Sequence, residues 1–306
     1  MLTMPGIERS FLKTLVAGSI NLDIVSRVAR FPQVGESIFA TNRRFLAGGK
    51  GFNTARTLFA LDTPCSFYGQ IGDDFYGQKL KELFPPRSPL LSNIAEVKGG
   101  TTGTAQITVN SKGANMIVVD PGVNQTLKES IVSDKVLEEH DILVLTMETP
   151  RAFNESILQR FHRYPNKISI LNTSPFLDDC IGLLNNVSMI VLNEFEMHDL
   201  SREIDVSIGD KTFIVTRGAD GVSFFSPSHK VSLPAYQVSN VVDTTGAGDN
   251  FLAGFIAHFA RTRNAVESLD FGQKVAVCKL ANFGTELQGY TYQKIFDLNL
   301  PRNSEN

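Results

Sequence analysis

The sequence predicts an α/β fold: a central, mostly parallel β-sheet flanked by helices, carrying a small second β-sheet as a lid. Three observations lead there. Short apolar runs rich in branched side chains recur along the chain, as strands buried on both faces do. Longer amphipathic stretches separate them, giving the strand–helix alternation of a doubly wound sheet. Two regions, about 24–45 and 101–119, break that alternation with short alternating patterns and no helix between them.

Taken in order, residues 15–17 lead into the first strand, and 142–145, 168–171, 189–192 and 213–216 read as further buried strands. The stretches 51–61, 77–83, 127–140, 150–164 and 194–200 read as the helices between them. In the lid, Gln106-Ile107-Thr108-Val109, the polar turn Asn110-Ser111-Lys112-Gly113 and residues 116–119 form a hairpin. Residues 84–91, rich in proline, read as an irregular loop. A strand-like run at 237–242 precedes a glycine turn and an amphipathic helix over 250–261. No linker, low-complexity tract or repeat divides the chain, so 1–306 reads as one domain with the lid strands inserted in it.

Composition narrows the function. Hydrophobic residues make up 42% of the 306, ample for a core, yet every apolar run is far shorter than a membrane span needs. A net charge of −3 argues against nucleic acid as a partner. Cys65, Cys180 and Cys278 lie far apart with no CxxC spacing, which points to reduced thiols rather than disulfides or zinc. Residues 1–13 show no secretory pattern, so a cytoplasmic protein is expected.

Eight of the 24 glycines sit in three short loops: Gly48, Gly49 and Gly51; Gly99, Gly100 and Gly103; Gly246 and Gly248. In Asp243-Thr244-Thr245-Gly246-Ala247-Gly248-Asp249 the small residues open a helix, where free N–H groups and the helix dipole favour a phosphate. Asp249 in the first turn reads either as a cap or as a base that takes a proton from an attacking hydroxyl. A dinucleotide fingerprint would need glycine where Phe251 stands. A P-loop would need glycine at Arg44 and Ser or Thr at Gly51. Upstream, Gly18-Ser19-Ile20-Asn21-Leu22-Asp23 is read as the end of the first strand, with Asn21 and Asp23 on one face. Alone they are turn residues; beside Lys50 and Asn53 of the loop Gly48-Gly49-Lys50-Gly51-Phe52-Asn53 they supply what a polyol needs.

Together these segments resemble the ribokinase (PfkB) family of carbohydrate kinases, from Gly18 to about Gly284. Pro32-Gln33-Val34-Gly35-Glu36, Gly72-Asp73-Asp74-Phe75-Tyr76-Gly77, Gly100-Thr101-Thr102-Gly103-Thr104-Ala105, Met147-Glu148-Thr149-Pro150 and Asn193-Glu194-Phe195-Glu196 extend the match. The resemblance implies a ribokinase-like fold and ATP-dependent phosphorylation of a sugar's primary hydroxyl, with O5 of ribose as the leading acceptor. Another furanose, a ketohexose or a nucleoside is the alternative within the family, and a non-catalytic sugar- or nucleotide-binding regulator the alternative outside enzymes.

By the same resemblance Asp249 is the catalytic base, and the N–H groups around Gly246, Ala247 and Gly248 form the anion hole. Asn21, Asp23, Gly49, Lys50, Asn53 and Glu148 fall on sugar-contacting positions, with Leu22 and Gly51 in the same motifs. Asn193 and Glu196 match the motif that arranges Mg²⁺. Thr216, Arg217, Gly218, Ala219, Asp220 and Gly221 match the nucleotide loop, with Gly248 and Asp249 facing ATP and Gln273 at the base pocket. A K⁺ site is implied by Asp243 and Thr245 on one side and by Lys279, Asn282 and Gly284 near the other; Gln288 stands where the family usually has serine. Residues 199–210 are shorter than the family's usual connection, and the lid strands commonly pair between subunits, implying a homodimer.

Overall fold

The computed structural model describes residues 11–175, 180–203 and 211–303. The strands in chain order are β1 (Thr14–Ala17), β2 (Asn21–Arg27), β3 (Asn42–Gly48), β4 (Cys65–Gly72), β5 (Ile94–Val97), β6 (Gly103–Val109) and β7 (Asn115–Asp120). There follow β8 (Ile142–Thr146), β9 (Ile168–Asn172), β10 (Met189–Asn193), β11 (Thr212–Thr216), β12 (Val222–Phe225) and β13 (Lys230–Leu233). Helices are α1 (Lys50–Ala60), α2 (Phe75–Glu82), α3 (Asp134–Glu139), α4 (Arg151–Phe161) and α5 (Ile181–Leu184), then α6 (Glu194–Glu203), α7 (Ala247–Thr262), α8 (Ala265–Leu280) and α9 (Tyr292–Phe296).

The main sheet runs β13-β12-β11-β10-β9-β8-β1-β4-β5. Its pairs from β11 to β5 are parallel, and β12 and β13 add antiparallel strands at one edge. Side chains alternate across it. Val16, Ile142 and Val144 face a core with Phe52 and Leu58 of α1 and Leu252 and Phe255 of α7. Leu15, Ala17, Leu143 and Leu145 face a second core with Phe153 and Ile157 of α4 and Leu200 of α6. β8 is buried at every position and apolar from Ile142 to Leu145, as a strand covered on both faces requires.

The second sheet, β3-β2-β6-β7, matches the expected lid regions in part. The strands begin earlier than expected, at Asn21, and no strand forms over 28–41. Asn21 and Asp23 therefore lie on a strand of the lid, not at the end of β1, because the chain leaves the main sheet after Ala17. Val25, Ala105 and Ile107 form the lid's own small core with Leu46, Val109 and Phe283.

Two further expectations need correcting. The stretch 127–140 is helical only over a short turn at Glu129–Ile131 and over α3, where Ser133 caps the N-terminus. Residues 237–242 form no strand, since this branched run finds no ladder partner. The stretch 199–210 starts as the end of α6; 204–210 lie outside the described residues. Residues 84–91 are irregular as expected, apart from the 3₁₀ turn Pro89–Leu91. Among the described residues no helix is long and apolar enough to cross a membrane.

Candidate active site

The site lies at the C-terminal ends of the parallel strands, where an open α/β sheet presents its ligands. Two helices start there on a glycine with positive φ and no side-chain cap: α1 on Gly49 (φ 89°) and α7 on Gly246 (φ 72°). Any other residue would be strained at those angles. At α1 the free amides are met from elsewhere. Lys50 N donates to Glu148 Oε2 at 2.9 Å, and the Ser19 hydroxyl donates to the same carboxylate oxygen. Glu148 thus places a negative charge on the positive end of α1.

Asp249, in the first turn of α7, is 4% exposed, and its Oδ2 accepts from Asn53 Nδ2 at 2.9 Å. Burial raises its pKa, while Lys50 and the Asn53 hydrogen bond oppose the rise. Asp23 is also buried, and its pKa is pushed up to about 7 by burial, against the pull of Arg56 and with help from Glu148 and Asp249. A Cβ on Gly48, across the β2–β3 ladder, would stand 2.2 Å from the Asp23 carboxylate, so only glycine leaves it room. Burial works against the Lys50 ammonium, but Asp249, Glu148 and Glu196 outweigh it and raise its pKa. Carboxylates and cations are therefore interleaved around one small volume.

Asn21 faces the same side as Asp23 and accepts from Asn124 Nδ2 at 2.8 Å. Leu22 between them points the other way, fully buried in the main core. Gly51 packs against the Gly18 backbone. At the anion hole, Ala247 N donates to Thr244 O at 3.2 Å, and nothing lies within 4 Å of where a Cβ on Gly248 would stand. Two residues escaped the sequence reading. Asn124 carries no motif. Arg56, 9% exposed, donates to Asn53 Oδ1 at 3.3 Å, to the Thr285 hydroxyl and to Glu286. Its spacing of one helical turn from Asn53 was the available signal.

Beside α7 a cavity of about 550 Å³ opens, lined among others by Thr216, Gly218, Val222, Gly248, Phe251 and Gln273. Ala219 and Gly221 also line it; Arg217 and Asp220 sit on the same turn but outside the lining. The Gln273 Nε2 is buried with no hydrogen-bond partner in the protein, which leaves a donor at the cavity wall for a polar ligand atom or a water. Asn193 and Glu196 form a reciprocal capping box at α6: Asn193 N donates to Glu196 Oε2, and Glu196 N to Asn193 Oδ1, both at 2.9 Å. Ser174 donates to the other Glu196 oxygen. Among the described residues no group of three or more metal-ligating side chains gathers. One buried carboxylate with an amide suits the outer shell of a hydrated Mg²⁺ that is held chiefly by phosphates.

The residues expected to hold K⁺ do not fit one. Asp243 Oδ1 accepts from Thr245 N and Oδ2 from Gly284 N, each at 2.9 Å. The Lys279 ammonium donates to the Asp243 carbonyl. Burial brings the Lys279 pKa down to about 8 against the pull of Asp243. Asn282 donates its amide to Cys278 O. Gln288 is exposed, and its side-chain amide donates to Glu286. Residues 283–285 run past all these groups. Phe283 packs under the lid, Gly284 binds Asp243, and Thr285 accepts from Arg56 and, through its carbonyl, from Asn250.

Residues 12–288 match the pfkB family of carbohydrate kinases. The chain belongs to this family. It is similar to the ribokinase of Lactococcus lactis, 30% identical over 90% of this chain and 92% of the relative. Among solved structures, the ribokinase of Thermotoga maritima superposes with a TM-score of 0.84 at 29% identity, covering 94% of this chain and 98% of the other. That of Arabidopsis thaliana, a complex with ribose and ATP, gives 0.79 at 25% identity, over 94% and 98%. As a member of the pfkB family, the chain is a sugar kinase, a phosphotransferase with an alcohol as acceptor.

Proposed function

We propose that the protein is an ATP-dependent ribokinase that phosphorylates O5 of ribose. The observation that carries this reading is Asp249, buried at the uncapped start of α7 and hydrogen-bonded to Asn53 beside Asp23. Asp23, Asn21, Asn53, Lys50 and Glu148 hold the sugar hydroxyls, together with the Gly49 backbone and the lid strand β2. The lid excludes water, which limits wasteful hydrolysis of ATP. Asp249 accepts the proton of the attacking hydroxyl, and its raised pKa makes it a better base than a surface carboxylate. The amides of Gly246 and Gly248 face the transferring phosphoryl group, with Ala247 N held within the turn by Thr244 O, and positioning and neutralisation of spread charge supply most of the catalysis.

The cavity beside Gln273 takes the nucleotide, with the 216–221 turn along it. Mg²⁺ on the phosphates supplies charge neutralisation, and Asn193 and Glu196 order its water shell. Cys65, Cys180 and Cys278 form no disulfide, which suits a reducing compartment and a cytoplasmic enzyme. β7 leaves Met116, Ile117, Val118 and Val119 exposed on both faces, and a second copy of the chain covering that edge makes a homodimer.

Asp249→Asn is the direct test. It keeps an acceptor for Asn53 but removes the base. Turnover should fall by roughly 10²–10⁴-fold while ribose affinity, measured by calorimetry, changes little. Near-normal turnover would overturn the assignment of the base. A panel of pentoses, ketohexoses and nucleosides followed by ADP release should rank ribose first; a better nucleoside or hexose would move the assignment elsewhere in the family.

A further inference from the structure

At the turn that leads into α7, a protein ammonium stands where the family resemblance implies a metal ion. Lys279, near the end of α8, is completely buried, and its Nζ reaches the carbonyl oxygen of Asp243. The same nitrogen lies 3.9 Å from Asp243 Oδ1. The carboxylate itself is already held on both sides, by Thr245 N and Gly284 N. The backbone amides of Val242 and Asp243 also donate to Leu280 O, so the end of α8 and the start of the turn are tied together twice, by main chain and by Lys279. A K⁺ site needs a cage of oxygens with space at its centre. Here all three oxygens of Asp243 already accept hydrogen bonds, and a further cation on Asp243 would sit a few ångströms from a buried like charge.

We propose that the Lys279 ammonium is a built-in substitute for the monovalent cation, fixing the 243–245 turn so that the start of α7 is aimed at phosphate, and that the enzyme therefore works without K⁺. Lys279 is a positioning residue on this view: it touches the turn, not the substrate. The inference rests on α7 being the phosphate-facing helix of a sugar kinase. It goes beyond that reading in assigning the cation's place to a side chain of the protein.

The test compares the intact enzyme with Lys279→Ala, Lys279→Met and Lys279→Arg, in KCl, NaCl and tetramethylammonium chloride at matched ionic strength. Wild-type turnover should change by less than about twofold between the salts. Lys279→Ala, which removes the charge and opens space, should lose roughly 10²-fold in kcat and regain much of it in K⁺ but not in tetramethylammonium. Lys279→Met removes the charge yet fills the space, so K⁺ should not rescue it. Lys279→Arg should stay K⁺-independent. A second readout needs no turnover: K⁺ should raise the Tm of Lys279→Ala, without substrates, and leave that of the wild type unchanged.

Strong K⁺ activation of the wild type would overturn the proposal, as would full activity of Lys279→Met in tetramethylammonium. Loss of activity in Lys279→Ala with neither K⁺ rescue nor a K⁺-dependent Tm would reduce Lys279 to a packing role and also overturn it. If Lys279→Ala does not fold, the contrast between the Met and Arg variants decides. Absence of ADP formation by the wild type with every sugar would instead remove the kinase reading, and the Tm comparison would still judge the cation substitute.

Discussion

Asp23, proposed above as a sugar-binding residue, carries a cost in the unbound protein. It is buried beside Glu148 and Asp249, and Arg56 only partly offsets the burial that lifts its pKa to about 7. The folded value lies above the ordinary one, so this group favours the fold fully only below about pH 4, and that contribution is lost as pH rises through about 7. Asp23→Asn should therefore make the sugar-free protein more stable than the wild type at pH 8, by about 1–3 kcal/mol in urea titrations, with the gap closing towards pH 4. The same variant should lose ribose binding. An unchanged pH dependence of stability would show that Asp23 is not the strained group. That Asn21 and Asp23 share a face was legible from their period-two spacing, whereas a binding role was suggested only by the Gly48–Asn53 loop beside them. Asn124 and Arg56 were not, since a polar residue on a turn or helix reveals its partner only when a distant segment arrives. Lys279 was visible as a position beside the implied cation site, but not as a buried ammonium that reaches the Asp243 carbonyl.

At the scale of elements, the strands buried on both faces, β8, β9, β10 and β11, stand close to where their apolar runs place them. The short antiparallel edge β12–β13 and the helix α8 were not anticipated from those runs. The branched stretch 237–242 shows the limit: β propensity without an available edge gives no strand. The β2–β3 ladder matters most to the proposed site: it pairs Gly48 with Asn21, and the Asp23 carboxylate, diagonal to that pair, takes the space a Cβ on Gly48 would need. Gly48→Ala would force the Asp23 carboxylate or the strand to move. Initial-rate measurements should show KM for the sugar raised by roughly tenfold or more, with a smaller change in kcat. Equal KM in the variant would mean the ladder yields without disturbing the sugar pocket.

For the whole molecule, the lid sheet ends on β7, a fully exposed strand with Met116 at 56% and Val118 at 71% exposure. Such an edge invites pairing with another chain. Replacing Ile117 and Val119 with lysine should convert a sedimenting dimer to a monomer at micromolar concentration, with little effect on the melting of the main sheet. A wild type that sediments as a monomer would remove the proposal. The family, the layered sheet and the lid were all readable from motifs and patterning, whereas the contacts joining lid, nucleotide side and sugar side were not, because they converge on the plain segment 283–285. That segment has a consequence for how the chain can vary. Loops ordinarily absorb added or missing residues. Here Phe283 keeps its place under the lid, Gly284 its bond to Asp243 and Thr285 its bonds to Arg56 and Asn250, all in three consecutive positions. One inserted residue would put two of those anchorages out of step at once. The spacing from Lys279 to Thr285 is thus a fixed ruler in a part of the chain that looks free to change length.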